Sequence, residues 1–430
     1  MNERQGETDA ILFKDLIPLP FRILLLIELG LTLWMSLNVI LFQFTPINVL
    51  RLLNLSYSPH NYTSLDDKGI ATGEYATTVP ADDKENARLI KGIWSNLKRV
   101  AVVNLGSWIV FKLIQYYNKD LKLAYYGIPV LSFGYTVYQL FSDKGATPGQ
   151  VRIYTTMLRV IRGGISSMNM RTNDILISDT LVSYAKVLND FGLFIWSYYI
   201  SESRAYNHDI ELVILCIPIL IRIKQCWYEY SITGKKQHLY NLLKYSTGLG
   251  PLTVNALIKT KLLHSTEEQR TSGELILQLR YLNYWWYFAS AVNSTFAFVW
   301  DVKMDWSLPL FNKLFNPREK FRVLRSHTVY PDVVYDLAVC IDFFLRYIWV
   351  LKLFIINEGL TQEGQFKILH VFSTFLFGYD VYSFGYVVIE VLEIFRRWMW
   401  CFIKLESDWV KLKHASEEVV ELDQIQKGTA

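Results

Sequence analysis

The sequence predicts an all-α, polytopic integral membrane protein with about ten transmembrane helices, and three observations predict it. Half the residues are hydrophobic (51%) and mean hydropathy is positive although 20% of the chain is charged, so the apolar residues must be gathered into runs. Several of those runs are long enough to cross a bilayer core, which takes about 20 residues in a helix. The charges that interrupt them recur at helical spacing, as charges facing a bundle interior do.

In chain order the candidate helices cover residues 21–42, 99–118, 121–141, 149–169, 175–199, 209–227, 237–262, 275–301, 333–357 and 368–403. The first carries only Glu28 besides Arg22 and lacks the basic start, short apolar stretch and small-residue cleavage site of a removable signal peptide, so it reads as a retained helix. The fourth is interrupted by Arg152, Arg159 and Arg162, a pattern shared with amphipathic helices lying at a membrane surface. The tenth is very apolar from Ile368 to Val388, where only His370 and Asp380 can carry charge, and then turns sharply charged.

Loop charges set an expected orientation. Lys303, Lys313, Arg318, Lys320, Arg322 and Arg325 crowd the loop 302–332, which reads as cytosolic. With an even helix count, Lys235, Lys236 and the tail residues Lys404, Lys411 and Lys413 fall on that side, and both termini are cytosolic. Residues 1–20 are then a cytosolic segment, 21–170 the N-terminal helices with a lumenal loop at about 43–97, and 407–430 a cytosolic tail. The sequons at Asn54 and Asn61 agree with a lumenal loop, whereas the match at Asn293 lies inside a helix.

Polar stripes mark where chemistry is expected. Asp179, Ser183, Lys186 and Asp190 follow at spacings of four, three and four along one face of the fifth helix. Asp342 and Arg346 sit one turn apart with Trp349 next, and Tyr386, Glu390, Glu393 and Arg397 make another stripe. Arg396 and Arg397 point about 100° apart, so at most one shares that stripe; near a helix end both could also snorkel to lipid headgroups. Lys186, Lys244, Arg346 and the arginine pair thus offer cationic donors from four helices, and arginine's planar fork suits an oxyanion. These charges could equally lock helices together as internal ion pairs.

Other functions find little support. No nucleophile, zinc-protease, P-loop or dinucleotide motif occurs in a credible setting, so no enzyme, metal or cofactor is expected. The net charge of +4 does not argue for nucleic acid. Cys216, Cys226, Cys340 and Cys401 form no pair and read as buried small apolar residues.

Together Cys216-Ile-Pro with Arg222, Gln225 and Cys226, His238-Leu-Tyr-Asn-Leu-Leu-Lys-Tyr-Ser246, Trp300-Asp-Val-Lys-Met-Asp-Trp306, Val329-Tyr-Pro, Leu345-Arg-Tyr-Ile-Trp349 and Glu393-Ile-Phe-Arg-Arg-Trp-Met-Trp400 resemble the EXS-domain family. That family includes phosphate exporters of the retrovirus-receptor type and shorter fungal members of the Golgi. The resemblance implies an EXS transport domain at 171–406, with the last six helices forming a phosphate conduit. It implies substrate contacts from Asp179, Lys244, Tyr245, Asp301, Arg346, Trp349, Arg396 and Arg397, supported by Ser183, Lys186, Asp342, Glu390 and Glu393. The chain departs from the family pattern at Val182 and at Trp227-Tyr-Glu-Tyr230.

A first helix near Phe21 leaves no room ahead of it for a long SPX domain, as in the short fungal branch associated with ER retention. The implied function is a multi-pass Golgi-membrane exporter that returns phosphate released by glycosylation from lumen to cytosol. The alternative is a non-transporting sorting receptor or scaffold for Golgi glycosyltransferases. Expected partners are inorganic phosphate and membrane lipids, with a homodimer contact and glycosyltransferases or their sorting machinery as further candidates.

Overall fold

The computed structural model describes residues 13–53, 80–117, 122–141, 148–165, 171–200, 206–266, 273–318, 321–356, 367–377 and 381–428. Asn54, Asn61 and Asp380 lie outside the described residues. All regular structure among the described residues is helical: α1 (Leu19–Phe44), α2 (Pro80–Tyr117), α3 (Lys122–Phe141), α4 (Pro148–Ile161), α5 (Arg171–Ser183), α6 (Ala185–Ile195), α7 (His208–Thr233), α8 (Lys236–Thr247), α9 (Leu249–His264), α10 (Gly273–Trp300), α11 (Asp332–Arg346), α12 (Lys367–Phe377) and α13 (Phe384–Gly428).

The breaks have local causes. Asn207 caps α7, its Oδ1 accepting the Asp209 N–H at 2.8 Å, and Gly234 ends that helix at φ 64°, a conformation favouring glycine. The expected helix 237–262 is divided at Gly248, and Pro251 then occupies the first turn of α9, where its missing N–H costs no helical bond. The expected helix 368–403 is really two: α12 is short, and α13 starts afresh with Ser383 Oγ accepting the Tyr386 N–H at 3.2 Å. The expected helix 175–199 is interrupted at Tyr184 and ends in a wide π turn, Trp196–Ile200. Tyr184 Oη donates to the Leu26 carbonyl at 2.9 Å, against Gly30, where any Cβ would collide with that hydroxyl.

Side-chain contacts fix the direction of each pass. Arg22 near the start of α1 reaches the Val381 carbonyl and Glu390 beside the start of α13, and the Trp398 indole donates to the Leu33 carbonyl further along both. Leu37 and Leu41 join Leu405 and Trp409 in one core. Hence α1 and α13 run parallel, from a Leu19 end of the bundle to a Trp409 end. α2 returns, since Asn104 meets Glu28 and Trp108 meets the Leu16 carbonyl. α3 comes back with Gln139 on Asn96.

The next helix does not cross. α4 has 14 residues, about 21 Å at 1.5 Å per residue, and it begins and ends at the Trp409 end. There Tyr154 packs on Phe141, and Arg159 pairs with Asp174 at 2.5 Å. α5 and α6 then climb from Asn173, bonded to the Leu53 carbonyl, to Asp190 beside Arg22. α7, α8–α9, α10 and α11 alternate after them, and α12 stays at the Leu19 end, where Phe375 and Phe13 both meet Phe384.

The described residues therefore contain nine long passes, an odd number. Phe13 lies at the Leu19 end, and α13 runs out at the Trp409 end. Leu53 and Leu89 share a core with Trp306, Leu308 and Tyr335 at the Trp409 end.

The bundle is apolar outside and charged inside. Leu131, Trp285, Phe288 and Phe344 are exposed, while Asp179, Arg222, Asp342 and Arg396 are buried, an arrangement compatible with a lipid surrounding. Among the described residues α1 is the one helix long and apolar enough to be recognised as a membrane span by length and composition. Among the cysteines Cys226 and Cys401 are buried as expected, but Cys340 is exposed on the outer face of α11.

Two outcomes follow. Tags fused at the two ends of the chain should differ in protease accessibility in sealed vesicles, and equal accessibility would refute the parallel placement of α1 and α13. Gly30→Leu should lower thermal stability by about 1–3 kcal/mol, read as a fall in the melting temperature of the detergent-solubilised protein.

Candidate functional site

Five cations from four passes converge inside the bundle on four carboxylates. Arg222 of α7 pairs with Asp179 of α5, Nε to Oδ1 at 2.9 Å, and its Nη1 donates to Ser178 Oγ and Gln225 Oε1. Tyr245 of α8 donates to Asp179 at 2.6 Å, and Arg397 of α13 lies 3.7 Å from the same carboxylate. Arg397 Nε also donates to Ser183 Oγ at 3.1 Å, and Ser183 donates onward to Glu393 at 2.9 Å. Glu393 receives a forked pair of bonds from Arg396, at 3.0 and 2.6 Å.

From Arg396 the chain of charges passes to α11. Its Nη1 donates to Asp342 Oδ1 at 3.0 Å, and Arg346 Nε donates to the other oxygen of Asp342, also at 3.0 Å. Arg346 finally pairs with Asp301. Asp301 and Asp305 belong to the π turn Asp301–Asp305, closed by the Trp306 N–H on the Asp301 carbonyl at 2.8 Å. A wide turn of this kind is common at functional positions. Here it hands one aspartate to the arginines and places the other 3.9 Å from Lys404, which is held by Asp408 at 2.9 Å.

Lys244 differs from the rest. Its ammonium lies over the rings of Tyr245 (4.1 Å) and Trp300 (5.5 Å), and it has no ion pair within 4 Å among the described residues, although Asp179, Asp301 and Asp305 face it. A buried cation cradled by aromatic faces and short of an anion is poised to take one from outside.

Most of the residues expected in the site meet here: Asp179, Ser183, Lys244, Tyr245, Asp301, Asp342, Arg346, Glu393, Arg396 and Arg397 are in one network. Trp349 joins at one remove. Its indole donates to Ser294 Oγ at 2.9 Å, Ser294 donates to the Arg346 carbonyl, and Trp286, Tyr287 and Tyr347 pack around it. Arg396 and Arg397 are 4% and 8% exposed, which rules out snorkelling to lipid.

Lys186 and Glu390 are the exceptions. The stripes Asp179–Asp190 and Tyr386–Arg397 are each shared between two clusters. Their Leu19-end members (Lys186, Asp190, Tyr386 and Glu390) gather around Arg22 instead. Sequence reasoning also left out Arg222, Arg22 and the Asp305–Lys404 pair. A charge inside an apolar run was the available signal for the two arginines. Lys404 was counted with the tail, yet it is buried on α13, so the network runs up to the boundary drawn at residue 406.

An apolar-coated helical bundle with a connected network of buried charge inside it is built as a membrane protein. The EXS family profile matches residues 17–410, and the chain belongs to the EXS family. Protein ERD1 homolog 1 of Schizosaccharomyces pombe is 25% identical over 345 residues, covering 77% of this chain and 81% of its own length. Protein ERD1 of Saccharomyces cerevisiae is 29% identical over 252 residues, 59% of each chain. Solute carrier family 53 member 1 of Mus musculus is 26% identical over 323 residues, 70% of this chain but 41% of the longer relative. The last of these names is that of a solute carrier.

Asp342 is the joint of the network, so Asp342→Asn should leave two buried arginines without their shared partner. The expected loss is roughly 3–5 kcal/mol, measured as a fall in thermal stability in detergent. An unchanged melting temperature would mean that the network adds nothing to the fold.

Proposed function

We propose that this protein is a phosphate exporter of the Golgi membrane, returning phosphate from the lumen to the cytosol and so supporting glycosylation and the retention of resident enzymes. The observation that carries this reading is Lys244, a buried cation with no ion pair within 4 Å among the described residues, set beside the buried guanidinium groups of Arg346, Arg396 and Arg397. A tetrahedral oxyanion can accept from several donors at once, and Arg346, Arg396 and Arg397 supply planar forks from two helices. In the empty site Asp179, Asp301, Asp342 and Glu393 hold those forks. An arriving anion replaces carboxylates one at a time, which keeps binding strong enough to attract and weak enough to release.

Orientation follows from the loops. The basic loop 302–332 and the basic residues of α13 lie at the Trp409 end, which we assign to the cytosol. Loop 43–97 then faces the cytosol as well, its two sequons are never glycosylated, and the N-terminus is lumenal. The nine long passes cross the bilayer, and α4 lies along its cytosolic surface. Phosphate enters at the Leu19 end past Trp349, reaches the network, and leaves beside Lys404.

Reconstituted, purified protein should move phosphate into or out of liposomes down its gradient. Lys244→Gln should reduce that flux about ten- to a hundred-fold, the value of one charge-assisted hydrogen bond of roughly 1.5–3 kcal/mol. Arg346→Lys should also impair transport although charge is kept, because the bidentate fork is lost. Purified protein that stays silent under every gradient would overturn this reading in favour of a non-transporting retention scaffold.

A further inference from the structure

A second buried cluster lies toward the Leu19 end of the network. Asp190 of α6 and Glu390 of α13 are fully enclosed, at 0% and 2% exposure, and both carboxyl groups stand against the same guanidinium, that of Arg22. Arg22 of α1 donates to one oxygen of Asp190 and to the Val381 carbonyl, but its Nε remains 3.9 Å from Glu390. Three carboxyl oxygens, Asp190 Oδ1 and both of Glu390, receive no hydrogen bond from any described residue. Lys186 of α6 approaches the Tyr386 ring at 5.4 Å instead of pairing with either acid, and Arg22 lies over the same ring at 5.5 Å.

Unpartnered buried acceptors are costly, and two enclosed carboxylates that share one guanidinium are hard to keep ionised together. The smallest donor that resolves the conflict is a hydrogen on one of them. A sodium ion fits less well, since it needs a shell of several oxygens and Arg22 already points its charge into the space. The geometry points to Asp190 and Glu390 as a proton-binding site, a carboxyl pair that shares one hydrogen in the interior between α1, α6 and α13.

The other charged or titratable groups facing this pair are few. They are Arg22 on α1, Lys186 on α6, Tyr386 and the more distant Glu393 on α13, and Tyr206 and Glu211 at the start of α7. Lys352, beyond α11, faces Lys186. Without the proton, Arg22 and Lys186 balance two carboxylates; with it, the cluster carries one surplus positive charge. Glu390 is three residues from Glu393, and Lys186 three from Ser183, about 4.5 Å along each helix. Proton binding therefore adds positive charge next to the anion network, on the side from which the anion arrives. The link to flux rests on the phosphate-conduit reading, whereas the site itself does not.

Two measurements keep these apart. Infrared difference spectroscopy of the purified, phosphate-free protein should show the carbonyl stretch of a protonated carboxylic acid near neutral pH, and Glu390→Gln should remove it. Absence of that band in the wild type, or its persistence in both Glu390→Gln and Asp190→Asn, overturns the site. In liposomes, lowering the pH at the Leu19 face from about 7.5 to about 5.5 should raise wild-type flux roughly tenfold. Glu390→Gln, which resembles the protonated form, should lose most of that dependence. The protonation of phosphate itself affects both proteins alike, so their difference reports the site. An unaltered pH profile in a folded Glu390→Gln protein overturns the coupling, and dependence on sodium in place of pH overturns the proton assignment.

Discussion

Asp342 is buried, and its two oxygens are divided between Arg346 on its own helix and Arg396 on α13. That shared carboxylate joins α11 to the last helix and lets two guanidinium groups approach inside a low-dielectric bundle. Without it their mutual repulsion would have to be met by something else, because like charges at this depth are not screened by salt. The rest of the interior is arranged around the same constraint. Arg397 turns away toward Asp179 and Ser183, Arg346 reaches on to Asp301, and the π turn after α10 delivers that aspartate.

The constraint also explains why the core is partitioned. The large apolar side chains Trp306, Trp400 and Tyr335 are packed at the Trp409 end, and a smaller group with Leu19, Ile23 and Phe194 lies toward the other. Between them runs the polar seam. Aromatic faces line it, with Tyr245 and Trp300 under Lys244, Trp400 under Arg397 and Tyr386 beside Lys186. Rings accept cations without adding carboxylates, which lets Lys244 stay buried with no ion pair within 4 Å among the described residues.

Much of this was legible in the residues. The pair Arg396-Arg397 and the stripe from Asp179 to Ser183 announced a polar interior through spacing alone, and the i,i+4 bond from Arg346 to Asp342 is a purely local matter. The two stripes did not reveal that each would be divided between clusters. That depends on Arg22, which sits far away in sequence and comes close only because α1 runs parallel to α13. The odd number of passes was hidden for a related reason. Periodicity and hydropathy do not distinguish a helix that crosses from one that doubles back, and α4 and α12 differ from true passes mainly in length. Breaks at Tyr184 and Gly248 went unseen because no strong breaker stands at the first and a helix-compatible pattern continues past both.

The parallel course of α1 and α13 bears on how the chain is threaded into a membrane during synthesis. If the Trp409 end is cytosolic, α1 must insert with its leading segment translocated, against the habit of basic segments to stay behind. The flanks suit that task. Ahead of Leu19 the chain has two basic residues, Arg4 and Lys14, whereas five, Arg51, Lys68, Lys84, Arg88 and Lys91, follow the helix. On that orientation, a cytosolic domain joined in front of α1 would need one additional crossing helix before it.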